Sequence, residues 1–162
     1  MKSETREAAL CLIQRENRFL VAEITDPESG VILHRPPGGG IEPGETPEQA
    51  VRRELREELH LEIGTIRSVG VVDHIWSWKG REIHERAWLF LASSSCNEVL
   101  ARGGTPDLVE ADGDRFRTLW RSGSDPEVGL PKLCPPLPGE IAETFELCQD
   151  SEPGVRFSSN RR

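Results

Sequence analysis

The stretch GGIEPGETPEQAVRRELREELHL, residues 39–61, constrains this chain more than any other part of it, because it dictates a helix, both ends of that helix and the charge it carries. Thr46, Pro47 and Gln49 specify a start in three ways. Thr46 can cap free N–H groups, Gln49 completes a capping box, and Pro47 suits the first helical position. The spacing predicts a helix over 47–59. Val51, Leu55 and Leu59 repeat every four residues and form an apolar stripe for a core. Glu54, Glu57 and Glu58 stand at i, i+3 and i+4 and share a different face. That face opposes the helix. The like-charged pair Glu54 and Glu58 costs roughly 0.2–0.5 kcal/mol, and anions in the last turn meet the negative end of the helix dipole at about 0.3–1 kcal/mol each. A divalent cation reverses both signs, and hard oxygen ligands on a rigid element suit Mg2+ or Mn2+. A single Glu is ordinarily solvated surface; the joint pattern is what points to a metal site.

Set against G-x5-E-x7-R-E-U-x-E-E-x-G-U, with U aliphatic, residues Gly39, Glu45, Arg53, Glu54, Leu55, Glu57, Glu58 and Leu61 fall in place. His60 alone departs, standing where a glycine is expected. The stretch resembles the Nudix box, the signature of hydrolases that cleave a nucleoside diphosphate linked to another moiety. The resemblance covers residues 6–149 in the order of elements, with only the box being specific. It implies an α/β fold, the Nudix α/β/α sandwich with a mixed β-sheet, and a metal held by Glu54, Glu57, Glu58 and the carbonyl of Gly38. Glu45 and Arg53 read as an internal pair in which the planar fork of Arg53 clamps Glu45 and orients Glu54 or Glu57. His60, just past the helix end, reads as a left-handed cap rather than a ligand.

The resemblance also implies the reaction, in which metal-activated water attacks a phosphorus of the pyrophosphate. The base is either a box glutamate, Glu54 or Glu57, or a carboxylate from a later strand or loop. Glu85 is the later candidate singled out, since on a strand it shares a side with Ile83, Ala87 and Leu89, where a carboxylate needs a reason. Glu82 and Glu110 are its substitutes. Trp76 and Trp78, beside a turn, are candidates to stack on a base, while Arg35 and Arg81 are candidates for phosphate. The proline of ADP-ribose hydrolases is absent near Ser77, and a chain without tyrosine lacks the residue that diadenosine-polyphosphate hydrolases use.

The remaining elements follow from patterning. Residues 8–14 and 19–24 read as a hairpin, 31–35 as a strand entering the glycine turn, and 62–78 and 82–92 as long strands either side of a turn at 78–81. Residues 93–114 read as a long loop, 118–121 as a short strand and 139–149 as a second helix.

A length of 162 residues suits one domain, assigned to residues 1–150, with a disordered tail over 151–162. The net charge of −8 repels polyanions, so a small nucleotide rather than a long nucleic acid is the expected partner, and a homodimer is compatible with the sequence. Cys11, Cys96, Cys134 and Cys148 are too far apart for a zinc or thiol redox motif and read as reduced. The apolar run 8–13 is too short to span a bilayer, so a soluble, cytoplasmic protein with no membrane partner is expected. Two other readings stay open: a non-catalytic nucleotide sensor and a prenyl-diphosphate isomerase on the same fold. The intact glutamates oppose the first. The second needs a cysteine facing the metal, where none is expected.

Overall fold

The computed structural model describes residues 5–122 and 129–139. The chain opens with a hairpin of β1 (Arg6–Arg15) and β2 (Arg18–Thr25), followed by β3 (Ile32–Arg35) and β4 (Gly38–Gly40). Helix α1 (Pro47–Leu59) leads to a long hairpin of β5 (Ile66–Trp78) and β6 (Arg81–Ser93). A 3-10 turn (Ser94–Cys96), the short helix α2 (Glu98–Ala101), β7 (Leu108–Val109), β8 (Arg115–Phe116), β9 (Thr118–Ser122) and β10 (Lys132–Leu133) complete the described elements.

Eight strands form one sheet in the order β10-β3-β2-β1-β6-β5, with β4 also pairing to β1 and β9 to β2. It is mixed: β1 runs parallel to β6, from Arg6 beside Glu85 to Gln14 beside Ser93, whereas β1–β2 and β5–β6 are antiparallel. β7 and β8 form a separate ribbon. The fold is the expected α/β class with a mixed sheet. One helical layer is described, since residues 140–149 of the expected second helix and the whole tail over 151–162 lie outside the described residues.

Helix α1 has the predicted bounds for the predicted reasons. Thr46 Oγ1 accepts from the Gln49 N–H at 3.1 Å while Gln49 Oε1 accepts from the Thr46 N–H at 2.9 Å, and Pro47 opens the helix. It stops at His60, whose left-handed backbone (φ 55, ψ 36) lets its N–H reach the Arg56 carbonyl and the next N–H, of Leu61, reach back to Leu55. Val51, Leu55 and Leu59 are buried with Ala9, Cys11, Leu20 and Phe90 in a core on one face of the sheet. Burying each such side chain contributes roughly 1.5–3 kcal/mol. The alternate residues Leu10, Leu12, Val21, Leu89 and Leu91 form a second core on the other face. β1 is apolar without alternation because both faces are covered.

The stretch 93–114 is not a plain loop. Asn97 Oδ1 caps α2 by accepting from the N–H groups of Val99 and Leu100, and Leu100 is fully buried. Elements of two to four residues are too short to leave a periodicity in the sequence. The turn at 78–81 is a two-residue loop in which Lys79 and Gly80 both have positive φ, as a right-twisted hairpin requires. Among the described residues no helix is long and apolar enough to cross a membrane.

Candidate active site

α1 packs against β4 and β1, which brings its glutamates to the glycine turn. Gly39 lies against the Glu54 carboxylate: a Cβ there would come within 2.7 Å of it, and the side chain of Glu54 would have to move. Gly38, with φ 140, is held more strictly by the backbone of β1, where a Cβ would overlap the Ala9 carbonyl oxygen. Arg53 is the hub. Its Nε and Nη2 donate to the two oxygens of Glu45 at 2.7 and 2.9 Å, its Nη1 donates to Glu54 at 3.1 Å and Glu57 at 3.3 Å, and its Nη2 also reaches the Gly40 carbonyl at 3.1 Å. The Arg53 hydrogen bond holds Glu45 at a pKa of about 2. A planar fork is what allows one cation to fix three carboxylates and a carbonyl.

Glu54 and Glu58 line a cleft of about 290 Å³ together with Gly38, Gly39, Arg35, Trp76, Trp78 and Lys79. Glu57 does not line it; its side chain is 56% exposed against 15% for Glu54. The far wall is the β7–β8 ribbon. Its turn carries Glu110, Asp112 and Asp114, held together because the Glu110 N–H donates to the Asp114 carbonyl and the Asp114 N–H to Asp112 Oδ1. Glu58 is buried and interacts with both Glu54 and Glu110, and its Oε2 has no hydrogen-bond partner. Burial first, then the charges of Glu110 and Glu54, push its carboxyl up to about 10. Burial and the Glu54 charge raise Glu110 as well. A buried, unpartnered carboxylate oxygen among like charges is a group that a cation would satisfy, and an all-oxygen donor set suits a hard one. Among the described residues no group of three or more His, Cys, Asp or Glu side chains is arranged to hold a metal ion. Mg2+ commonly keeps several waters and takes only one or two carboxylates from the protein.

Glu85, the later-strand candidate for the base, is placed outside this cleft. Its side chain is 0% exposed and does not line the cleft. Arg35 grips both oxygens at 2.9 Å, His74 Nε2 donates to Oε1 at 2.9 Å, and Arg6 stands at 3.7 Å. Burial alone would raise this carboxyl, but the His74 hydrogen bond and the Arg35 charge outweigh it and lower the pKa to about 2. Such a group is a poor proton acceptor. Arg35 does line the cleft, with its guanidinium 4.8 Å over the Trp76 ring, but its donors are directed at Glu85 and at the Cys134 carbonyl. Trp76 and Trp78 line the cleft as a tilted pair with centroids 5.9 Å apart. Arg81, the other phosphate candidate, lines a different cavity, and Lys79, one turn position before Gly80, is the hairpin-tip cation that lines the cleft. Lys79, Asp112, Asp114 and Phe116 also line the cleft, and no motif in the sequence marks them. Of the acidic wall, Glu110 stands out in the sequence as a candidate carboxylate, and the density of Asp and Glu over 107–114 is the further hint. Cys11 and Cys134 are buried and free, and neither lines the cleft.

Known proteins extend this picture. The chain is 37% identical over 98 residues to an RNA pyrophosphohydrolase of Photobacterium profundum, covering 52% of this chain and 55% of that protein. It is 36% identical over 98 residues to the RNA pyrophosphohydrolase of Yersinia enterocolitica, covering 52% and 54%. The chain thus spans about half the length of the curated relatives it matches. Among solved structures, a MutT NUDIX hydrolase from Burkholderia pseudomallei superposes with a TM-score of 0.57 at 29% identity, over 89% of this chain and 98% of that one. The E. coli ORF135 protein superposes with a TM-score of 0.51 at 26% identity, over 93% and 95%. A profile of the NUDIX domain matches residues 4–122, which hold the glycine turn, the glutamate helix and both walls of the cleft, and the chain therefore belongs to the Nudix hydrolase superfamily.

Proposed function

We propose that this protein is a divalent-metal-dependent pyrophosphohydrolase that cleaves a nucleoside diphosphate linked to another moiety, by attack of water on phosphorus, with Mg2+ or Mn2+ as the metal. The observation that carries this reading is the buried, unpartnered oxygen of Glu58 facing Glu54 and Glu110 in a cleft beside the glycine turn. Glu54 and Glu58, with the Gly38 carbonyl, would hold the cation; Glu57, on the same helix face and bound to Arg53, is the outer member of the set. When bound, the cation neutralises phosphate oxygens and makes water a better nucleophile.

The chain's own residues do the rest. Arg53 fixes the direction of Glu54 and Glu57 through its clamp on Glu45. Glu110, whose carboxyl is raised by burial and by the Glu54 charge, would take the proton of the attacking water in place of Glu85. Trp76 and Trp78 form the apolar wall for a base, and Lys79 and the Arg35 charge draw the phosphates. The net charge of −8 favours a small nucleotide, such as a nucleoside triphosphate, a nucleotide sugar or an ADP-ribose-like compound, over a long polyanion. The relatives named RNA pyrophosphohydrolases supply the competing reading, an RNA 5′ end.

A panel containing those small nucleotides and a 5′-triphosphorylated RNA oligonucleotide, each with and without Mg2+, tests the reading. Metal-dependent cleavage of a free nucleotide, with label from labelled water recovered on phosphate, is expected. Label on a sugar carbon, or turnover of the RNA alone, would reject it. Binding of nucleotides without turnover would instead identify a sensor.

A further inference from the structure

Glu85 is a buried charge for which the reaction has no use. Partners from three strands converge on it: Arg35 of β3 through both oxygens at 2.9 Å, His74 of β5 at 2.9 Å and Arg6 of β1 at 3.7 Å. Glu85 does not line the cleft, yet Arg35 and Arg6 do, and so does Trp76, under the Arg35 guanidinium. Glu54, Glu58 and Glu110 line the same cleft, and the Arg35 charge reaches Glu110. An arginine without a counter-ion of its own, next to three carboxylates in a partly desolvated cleft, would fork onto them and cover the oxygens that a cation requires.

We propose that Glu85 is a positioning residue that keeps Arg35 off the carboxylate site. It pins the guanidinium in the cleft wall, cationic toward the substrate's phosphates, and leaves Glu54, Glu58 and Glu110 open to a divalent cation. His74, bound to the same carboxylate and nearly parallel to Trp76 at 12°, is held in register with that wall. The inference rests on the metal-site reading above.

The test is Mn2+ binding to the metal-free protein, measured by calorimetry without substrate on the wild type, Glu85→Gln and the double variant Arg35→Met/Glu85→Met. Glu85→Gln should bind Mn2+ about tenfold more weakly or worse, in the range for losing a supporting residue around a metal site. The double variant, which removes the cation as well as its anchor, should recover wild-type affinity or exceed it. Its KM for the nucleotide should rise about tenfold while kcat stays within about threefold, because a binding charge is lost and the metal site is not. A folded Glu85→Gln with Mn2+ affinity within about twofold of wild type would overturn the proposal. If that variant does not fold, the double variant decides: affinity tenfold below wild type shows that the pair merely builds the site, and affinity at or above wild type sustains the proposal. A wild-type protein that binds no Mn2+ would fail the metal-site reading itself, a result visible before any variant is made.

Discussion

Replacing Glu85 by Gln makes the role of the buried ion pair measurable as a function of pH. The carboxyl lies near 2 in the folded protein against an ordinary value of 4.5. Its folded pKa is depressed, so its stabilisation is present above pH 4.5 and is lost as pH falls toward 2. At about 1.4 kcal/mol per unit that gap amounts to about 3 kcal/mol. An independent route gives a similar size, since removing one partner of a buried pair typically costs about 3–5 kcal/mol. Urea unfolding of the wild type and Glu85→Gln should therefore differ by about 3 kcal/mol near pH 7, and the two curves should converge between pH 4.5 and 2 as the wild-type carboxyl protonates. Other carboxylates depressed in the fold, Glu45 and Asp73 among them, cancel in the difference. A gap that stays constant from pH 6 to 3, or one below about 1 kcal/mol at pH 7, would refute the reasoning.

The geometry ranks the box glutamates: Glu58→Gln should lower turnover at saturating Mg2+ by about 100-fold or more, and exposed Glu57→Gln by less, because the first removes a carboxylate inside the cleft. Steady-state kinetics check this, and near-wild-type turnover in Glu58→Gln would remove the metal assignment. Because burial with Glu110 and Glu54 raises Glu58 to about 10, Mg2+ binding near pH 7 should release a proton; calorimetry in buffers of different ionisation enthalpy reads the number, and no release would contradict the placement of Glu58. His60→Gly should leave activity within a few-fold and raise stability by up to about 1 kcal/mol, since glycine takes the left-handed conformation at φ 55 without strain. A drop in the urea midpoint would show that the His60 side chain does more than end the helix.

What the sequence revealed depends on how local the physics is. The start of α1 at Thr46–Pro47, its stripe at Val51, Leu55 and Leu59, and its left-handed stop at His60 are all settled within one turn of the residues concerned, so they were legible. The Glu45–Arg53 pair was legible because the helix fixes where Arg53 points. Glu85 drew attention as a carboxylate on an apolar strand face, but its partners Arg35 and His74 lie on other strands, and only the pairing of β5 with β6 and the approach of β3 reveal that it is an anchor. The acidic wall failed for the same reason: Glu110 meets Glu58 through the fold, and β7 and β8 have two residues each, too few to announce a ribbon. Lys79 and Arg81 flank Gly80 in one turn, and only the folded hairpin puts the first at the cleft and the second at another cavity.

The parallel pairing of β1 with β6 also bears on how the chain is made. Ala8 to Ile13 have no exposed surface in the finished protein, yet their neighbours in β6 are synthesised only after β2, α1 and β5. A nascent chain on the ribosome therefore carries a central apolar strand with one open edge until Ser93 has left the exit tunnel, and it has to avoid pairing with other chains throughout that interval. Non-local closure of this kind slows folding. Pausing of translation between β5 and β6 should then expose the chain to chaperones and proteases more than a pause after β6, even with every residue of helix α1 already made.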